Sequence, residues 1–262
     1  MEGKVYNSLQ LRELFHLEFL RWLDRKIKAE SYALKGGSNL RFFFNSIRYS
    51  EDMDLDIKGV EVYALKDIVM KILQDPSFQD IFKPFGIERV VPPDIGRAKQ
   101  TEITQRFKIH LITSAGDDLF TKIEFSRRGF RGKVVVQPVS AVISRAYMLP
   151  PLLAPHYDVE SAILHKIGAL ADRSEVQARD IFDLYILNSQ CKPSEVKGNA
   201  LSLGKIDKAY KNIFEISFEQ FRDTVISYLS PDDQRVYDSP SLWDEIKLRV
   251  TNFIDEIRRG DG

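Results

Sequence analysis

Two glycines and a serine, Gly36-Gly37-Ser38, stand thirteen residues ahead of the run Asp52-Met53-Asp54-Leu55-Asp56. Glycine carries no side chain, so its backbone can approach a ligand closely and take unusual dihedral angles. A helix starting at such a turn offers free N–H groups and the positive end of its dipole, a natural seat for a triphosphate. The aspartates alternate with apolar residues. On a strand that spacing puts Asp52, Asp54 and Asp56 on one face. Carboxylates crowded on one face raise one another's pKa, and a divalent cation relieves the repulsion. All-oxygen donors select Mg²⁺ or Mn²⁺ over zinc. A phosphate seat beside such a cation points to phosphoryl or nucleotidyl transfer. Glu124, in Lys122-Ile123-Glu124-Phe125, faces away from its apolar neighbours. It is the further acid that could complete the metal shell or activate an attacking hydroxyl. Alone, a Gly-Gly-Ser is a loop and an Asp-x-Asp is an exposed strand face; their conjunction with a downstream acidic strand is what carries weight.

The elements that must position these groups are legible in the hydrophobic pattern. Residues 8–28 read as a helix with Leu11, Phe15, Phe19 and Trp22 as its apolar stripe. Tyr32-Ala33-Leu34 is a short apolar run leading to the glycines. Residues 38–44 read as a helix with Ser38 as its N-cap, and 53–57 as a strand. A helix over 64–74 follows. Strands are expected at 107–113 and 119–125 around a Gly116-Asp117 turn, with a third at 133–136. The proline-rich stretch 150–155 is the expected linker, because helical patterns dominate from 159 onward.

With these residues in view, the chain resembles the AbiEii nucleotidyltransferase toxins, part of the wider polymerase-β-like nucleotidyltransferases. Residues 34–41 and 48–55 are similar to the opening motifs of that family. There the glycine–serine element grips the triphosphate, which maps to Gly36, Gly37 and Ser38, and the Asp-x-Asp acids bind metal, which maps to Asp52 and Asp54. The family often has another residue type at Asp56. Glu124 matches the second motif and supplies the third acid. Arg48 and Ser50 match the Arg-x-Ser lead-in, where holding the loop is at least as good a role as touching substrate. Residues 164–170, Arg173 and 178–185 are similar to the third and fourth motifs, which makes Lys166 and Asp180 functional by resemblance. Asp180 and Asp183 share a helix face, where one could orient Lys166 or the nucleotide and the other pair with Arg179; the residues alone allow another reading, a helix-to-helix ion-pair network. The resemblance spans about residues 30–188.

The resemblance implies an α/β (α+β) protein. A small mixed-sheet nucleotidyltransferase domain, 1–150, precedes an all-α domain, 151–262, that closes over the nucleotide. The implied reaction moves a nucleoside monophosphate from an NTP, with Mg²⁺ or Mn²⁺, to an acceptor hydroxyl. The 3′ end of transfer RNA is the favoured acceptor. A protein hydroxyl, such as one on an antitoxin, is the alternative, and a nucleotide-binding regulator without turnover is another. The implied biology is the toxin of a toxin–antitoxin or phage-defence (abortive infection) pair, with a cognate antitoxin as partner.

Composition sets the outer limits. Thirty-eight basic residues balance 38 acidic ones, which argues against bulk nucleic-acid coating but leaves room for a local basic face. Arg97, Lys99, Arg127, Arg128, Arg131 and Lys133 are candidates for it, with a solvated hairpin as the plainer reading. A single cysteine, Cys191, allows no internal disulfide and fits a reducing, cytoplasmic setting. No signal-like or membrane-spanning run is evident. His16, His110, His156 and His165 show no metal-ligand spacing.

Overall fold

The computed structural model describes residues 5–94, 96, 100–197 and 201–259. Helix α1 (Ser8–Asp24) opens on a capping box in which Asn7 and Gln10 each accept from the other's backbone N–H. Strand β1 (Tyr32–Lys35) passes directly into α2 (Gly36–Phe43), and β2 (Asp52–Ile57) follows. Then come α3 (Val62–Gln74), α4 (Pro76–Asp80), β3 (Ile87–Val91), β4 (Thr104–Thr113), β5 (Asp118–Ser126), β6 (Val134–Pro138), α5 (Ala141–Ala146) and β7 (Leu153–Tyr157). The rest is helical: α6 (Val159–Asp172), α7 (Ala178–Asn188), α8 (Leu203–Asn212), α9 (Phe218–Thr224), α10 (Pro231–Tyr237) and α11 (Pro240–Arg259).

The strands form one mixed sheet in the order β3-β4-β5-β2-β1-β7-β6. β1 is antiparallel to β2 and parallel to β7; β2 is parallel to β5; β4 is antiparallel to both β3 and β5. Alternation sorts the two faces. Met53, Leu55 and Ile57 of β2, Ile123 and Phe125 of β5, and Phe107 and Ile109 of β4 are buried on one side. Their neighbours Asp52, Asp54, Lys122, Glu124, Arg106 and Lys108 share the other. Phe15 of α1 stacks edge-on and tilted against Phe78 and Phe82, an aromatic knot among the buried residues beside the sheet.

The chain divides into two compact units: residues 1–39 with 49–156, and residues 40–48 with 157–262. The second is a helical unit with its own core. Leu40 and Phe44 sit there among buried side chains of α6, α7, α8, α9 and α11, including Ile167, Phe182 and Trp243. No helix of the described residues is long and apolar enough to cross a membrane.

Three local expectations are corrected. α1 stops at Asp24 and a single 3₁₀ turn, Ala29–Ser31, takes the chain to β1. The helix expected from Ser38 begins at Gly36, so Ser38 lies inside its first turn and is not its N-cap. Part of the proline-rich stretch is a strand: β7 pairs with β1 through Leu34 and His156. The carbonyls of Pro150 and Pro151 accept from the Arg21 guanidinium at 2.7 and 3.3 Å, so this segment's polar groups are used as a strand's approach and not as a solvated tether.

Candidate active site

The turn and the acids meet within the first unit. Gly36 has φ +67°, in the left-handed region that favours glycine. A Cβ on Gly36 would lie 3.0 Å from Oδ2 of Asp54. The turn is therefore pressed against the central acid, and a side chain here would meet a strained backbone and force the Asp54 carboxylate to shift. Ser38 is buried, and its hydroxyl donates to the carbonyl oxygen of Asp52 at 2.9 Å. Ser50 donates to the same oxygen at 2.8 Å. The two hydroxyls tie the turn and the lead-in loop to the first residue of β2. That is what holds Gly37, the glycine of the turn between Gly36 and Ser38, in register with the strand of acids.

Register across the sheet completes the arrangement. Asp54 pairs with Glu124 on β5, Glu124 with Arg106 on β4, and Asp54 with Lys35 on β1. The result is a straight row of cation, anion, anion and cation over four strands. In the adjoining row Asp52 pairs with Lys122, which is opposite Lys108. Two of the contacts follow the register, and Lys35 reaches diagonally past Asp54 to Asp56. Arg106 reaches Oε2 of Glu124 at 2.7 Å, Lys122 reaches Oδ2 of Asp52 at 2.8 Å, and Lys35 reaches Oδ1 of Asp56 at 2.6 Å. The Asp54 carboxyl is held above its ordinary pKa. Burial is the largest cause, and Glu124 and Asp52 add to it, against the opposing pull of Lys35 and Lys122.

The structure sets Asp52, Asp54 and Glu124 on two neighbouring strands and interleaves them with counter-ions that the sequence reading missed. Among the described residues no group of three His, Cys, Asp or Glu side chains is gathered tightly enough to hold a metal ion. The interleaved cations explain this, since Lys122 and Arg106 each draw one acid to itself. The donor set still fits a hard divalent cation. It consists of carboxylate oxygens alone, and Oδ1 of Asp52 is buried without a hydrogen-bond partner, an expensive state for a charged group. Asp56 is buried against Lys35 and belongs to the margin of this set.

Lys166, Asp180 and Asp183 lie in the helical unit as a buried network. The Lys166 ammonium is 2.8 Å from Asp180 and 2.6 Å from Asp183. Arg48 holds Asp183 through both carboxylate oxygens, at 2.9 to 3.1 Å. Arg173 is 3.1 Å from Asp180. Burial pushes the Asp183 carboxyl up, but Arg48 and Lys166 outweigh it and leave its pKa below the ordinary value. Asp183 thus pairs with Arg48 and Lys166, not with Arg179 as the sequence suggested. Arg48, expected to brace the loop before β2, works instead within this network. The signal was its arginine type, suited to forked pairing with a carboxylate, but the partner lies 135 residues away.

Of the basic candidates, Arg97 and Lys99 lie outside the described residues. Arg127 is tied down by Gln105 and the carbonyl of Val60. Arg128, Arg131 and Lys133 are exposed in the segment between β5 and β6. The histidines serve packing and hydrogen bonding. His165 stacks edge-on against Tyr157, and His156 is buried between Asn39 and Gln137. Cys191 is buried, and burial lifts its thiol to about 11, away from a nucleophile's range.

The family model described as nucleotidyl transferase AbiEii toxin, type IV TA system, matches residues 18–259. No curated protein sequence matches. Among solved structures, MenT4, a nucleotidyltransferase toxin from Mycobacterium tuberculosis, is similar with a TM-score of 0.62 at 15% identity, over 97% of this chain and 88% of that one. A putative nucleotidyltransferase from Helicobacter pylori aligns with a TM-score of 0.57 at 17% identity, covering 98% and 97%. The protein JHP933 from the same organism gives 0.54 at 16% identity, covering 98% and 95%. At these identities the structural likeness speaks for the fold.

Proposed function

The chain belongs to the AbiEii nucleotidyl transferase toxin family and is a nucleotidyltransferase, and from that premise we propose that Asp52, Asp54 and Glu124 are its catalytic acids, with Gly36, Gly37 and Ser38 as the seat of the NTP phosphates. The observation that carries this reading is the contact of Gly36 with Asp54, which faces Glu124 on the adjacent strand. It joins a backbone anion seat to paired carboxylates. Asp52, with its unpartnered Oδ1, and Asp54, with its raised pKa, are the oxygens that would hold Mg²⁺ or Mn²⁺. Such a cation would offset phosphate charge and orient the triphosphate for in-line attack. Glu124 then stands to accept the proton of the attacking hydroxyl, with Arg106 fixing its orientation.

Residues 1–39 with 49–156, close to the expected 1–150, serve as the nucleotidyltransferase domain in this reading, and 40–48 with 157–262 as the helical domain that carries Lys166 and Asp180. Lys166 is assigned to the nucleotide phosphates, and Asp180 to holding its ammonium in place. The proposed acceptor is the 3′ end of transfer RNA, and the proposed setting is the cytoplasm, with a cognate antitoxin as protein partner. The family supports the toxin role, and the exposed Arg128, Arg131 and Lys133 support an anionic acceptor.

The test is incubation with each radiolabelled NTP, Mg²⁺ and either total RNA or total protein. Label in RNA is expected; label in protein instead would move the acceptor to a protein hydroxyl, and no label with any acceptor would leave a nucleotide-binding regulator. Asp54→Ala should lose transfer while remaining folded, and Lys166→Ala should weaken NTP binding. An unchanged nucleotide dissociation constant in the second variant would return Lys166 to a purely structural ion pair.

A further inference from the structure

The acid-bearing face of the sheet supplies its own cations, and one of them is placed to leave. Lys35 is set against Asp56, whose side chain is only 6% exposed, so that pair is sheltered. Arg106 meets Glu124 with a planar, rigid guanidinium. Lys122 differs from both. Its ammonium is a point charge on a flexible stem, its partner Asp52 is at 30% the most exposed acid of the three pairs, against 25% for Glu124 and 6% for Asp56, and the two touch at 2.8 Å through Oδ2 alone. The other oxygen of the same carboxylate, Oδ1, has no hydrogen-bond partner. Asp52 therefore carries one lone-pair set taken by a replaceable cation and one left unsatisfied. An ion pair partly open to solvent in this way contributes little. A doubly charged ion can displace it.

We propose that Lys122 is a resident counter-ion that competes with the divalent cation for Asp52 and gives way when metal and triphosphate arrive together. The inference rests on the assignment of Asp52 as a metal ligand and adds a regulator of loading to it. With Lys122 in place, Asp52 is neutralised and the bare divalent ion binds weakly. A triphosphate changes the balance, because it offers the displaced ammonium a new anion on the same face. Metal and nucleotide thus bind cooperatively, and the site is not occupied by metal alone. Lys122 acts through Asp52 and is a positioning residue in this scheme.

The measurement is Mn²⁺ binding to the full chain, read from the spin-resonance signal of free Mn²⁺, with and without a non-hydrolysable NTP analogue. Lys122→Met should bind Mn²⁺ on the order of ten-fold more tightly than the unaltered chain when no nucleotide is present, because a like charge a few ångströms from the ion is gone. Nucleotide should then enhance Mn²⁺ binding less in Lys122→Met than in the unaltered chain, and Lys122→Arg should restore the original behaviour. A gain of affinity cannot arise from partial unfolding. Equal or weaker Mn²⁺ binding in Lys122→Met, with Asp52→Asn abolishing it in the parent, overturns the competition and leaves Asp52 as a ligand. Mn²⁺ binding indifferent to Asp52→Asn overturns both the ligand assignment and the inference built on it.

Discussion

Asp54 is held in an environment that opposes its charge, with burial first and then Glu124 and Asp52 raising its pKa. For an acid, a raised folded-state pKa means that the folded protein binds the proton more tightly than the unfolded chain does. Ionised Asp54 thus costs stability at neutral pH, and the cost fades as pH falls through the carboxylate range. Asp54→Asn should accordingly raise the melting temperature at pH 7 while abolishing transfer. The gain should shrink on acidification, because the unaltered chain then protonates the same group. A lower melting temperature in Asp54→Asn at pH 7 would contradict this account of the site. The acids and glycines were legible at this scale because their meaning is local: spacing on one strand and a turn before one helix. Lys35, Lys122 and Arg106 were not. Their role depends on which residue lies opposite on another strand, and Asp52 and Lys122 meet only because β2 and β5 run parallel in a particular register. The one sequence trace was that Lys122 sits two residues before Glu124 and so shares its face.

Among the elements, α1 is joined to the sheet by a buried polar relay. Thr121 gives its single hydroxyl proton to the carbonyl of Glu51 at 2.7 Å, so the His16 ring, 2.8 Å away, must donate to it through Nε2. Burial and then the Arg12 charge lower the His16 pKa from 6.5 to about 3. A histidine depressed in this way stabilises the fold above its unfolded pKa. That contribution is lost as pH falls from about 6.5 towards 3, since only the unfolded chain takes the proton. By pH 5 the loss should reach about 2 kcal/mol. Chemical denaturation at a series of pH values should show a shallower acid dependence for His16→Gln, whose amide can still donate to Thr121. Identical slopes for the two proteins would show that His16 is not the titrating group. The strong alternation of β2, β4 and β5 and the stripe of α1 made those elements readable. β7 was hidden because Leu153-Ala154-Pro155-His156-Tyr157 has no period-two pattern and contains a proline, which demotes a strand in any sequence reading. Its side chains from Ala154 to Tyr157 are buried regardless of type.

At the scale of the molecule, each unit has its own core, and the helical one is pinned internally by charge. Asp183 holds Arg48 and Lys166, and Asp180 holds Lys166 and Arg173. Breaking a buried pair from one side leaves an uncompensated charge, at a cost of roughly 3 kcal/mol. Asp183→Asn should therefore destabilise the helical unit by about that amount, seen as earlier loss of protection in hydrogen exchange across α6 and α7. Undiminished protection there would mean that the network is decorative. The helical character of this half was readable from periodicity, and the motifs on α6 and α7 only through the family resemblance. The recruitment of residues 40–48 was not, because those residues lie between two motifs of the first unit and nothing in their local pattern announces a distant core.

That recruitment means the chain has no single cut site that separates its halves. A fragment beginning at residue 157 would lack Leu40 and Phe44 from its interior and would lose Arg48, the forked partner of Asp183. A fragment ending at 156 would carry those same apolar side chains without the helices that bury them. Toxicity assays or partner screens on conventional truncations would sample damaged pieces. A faithful dissection needs a short loop in place of residues 40–48 in one piece and a permuted chain for the other.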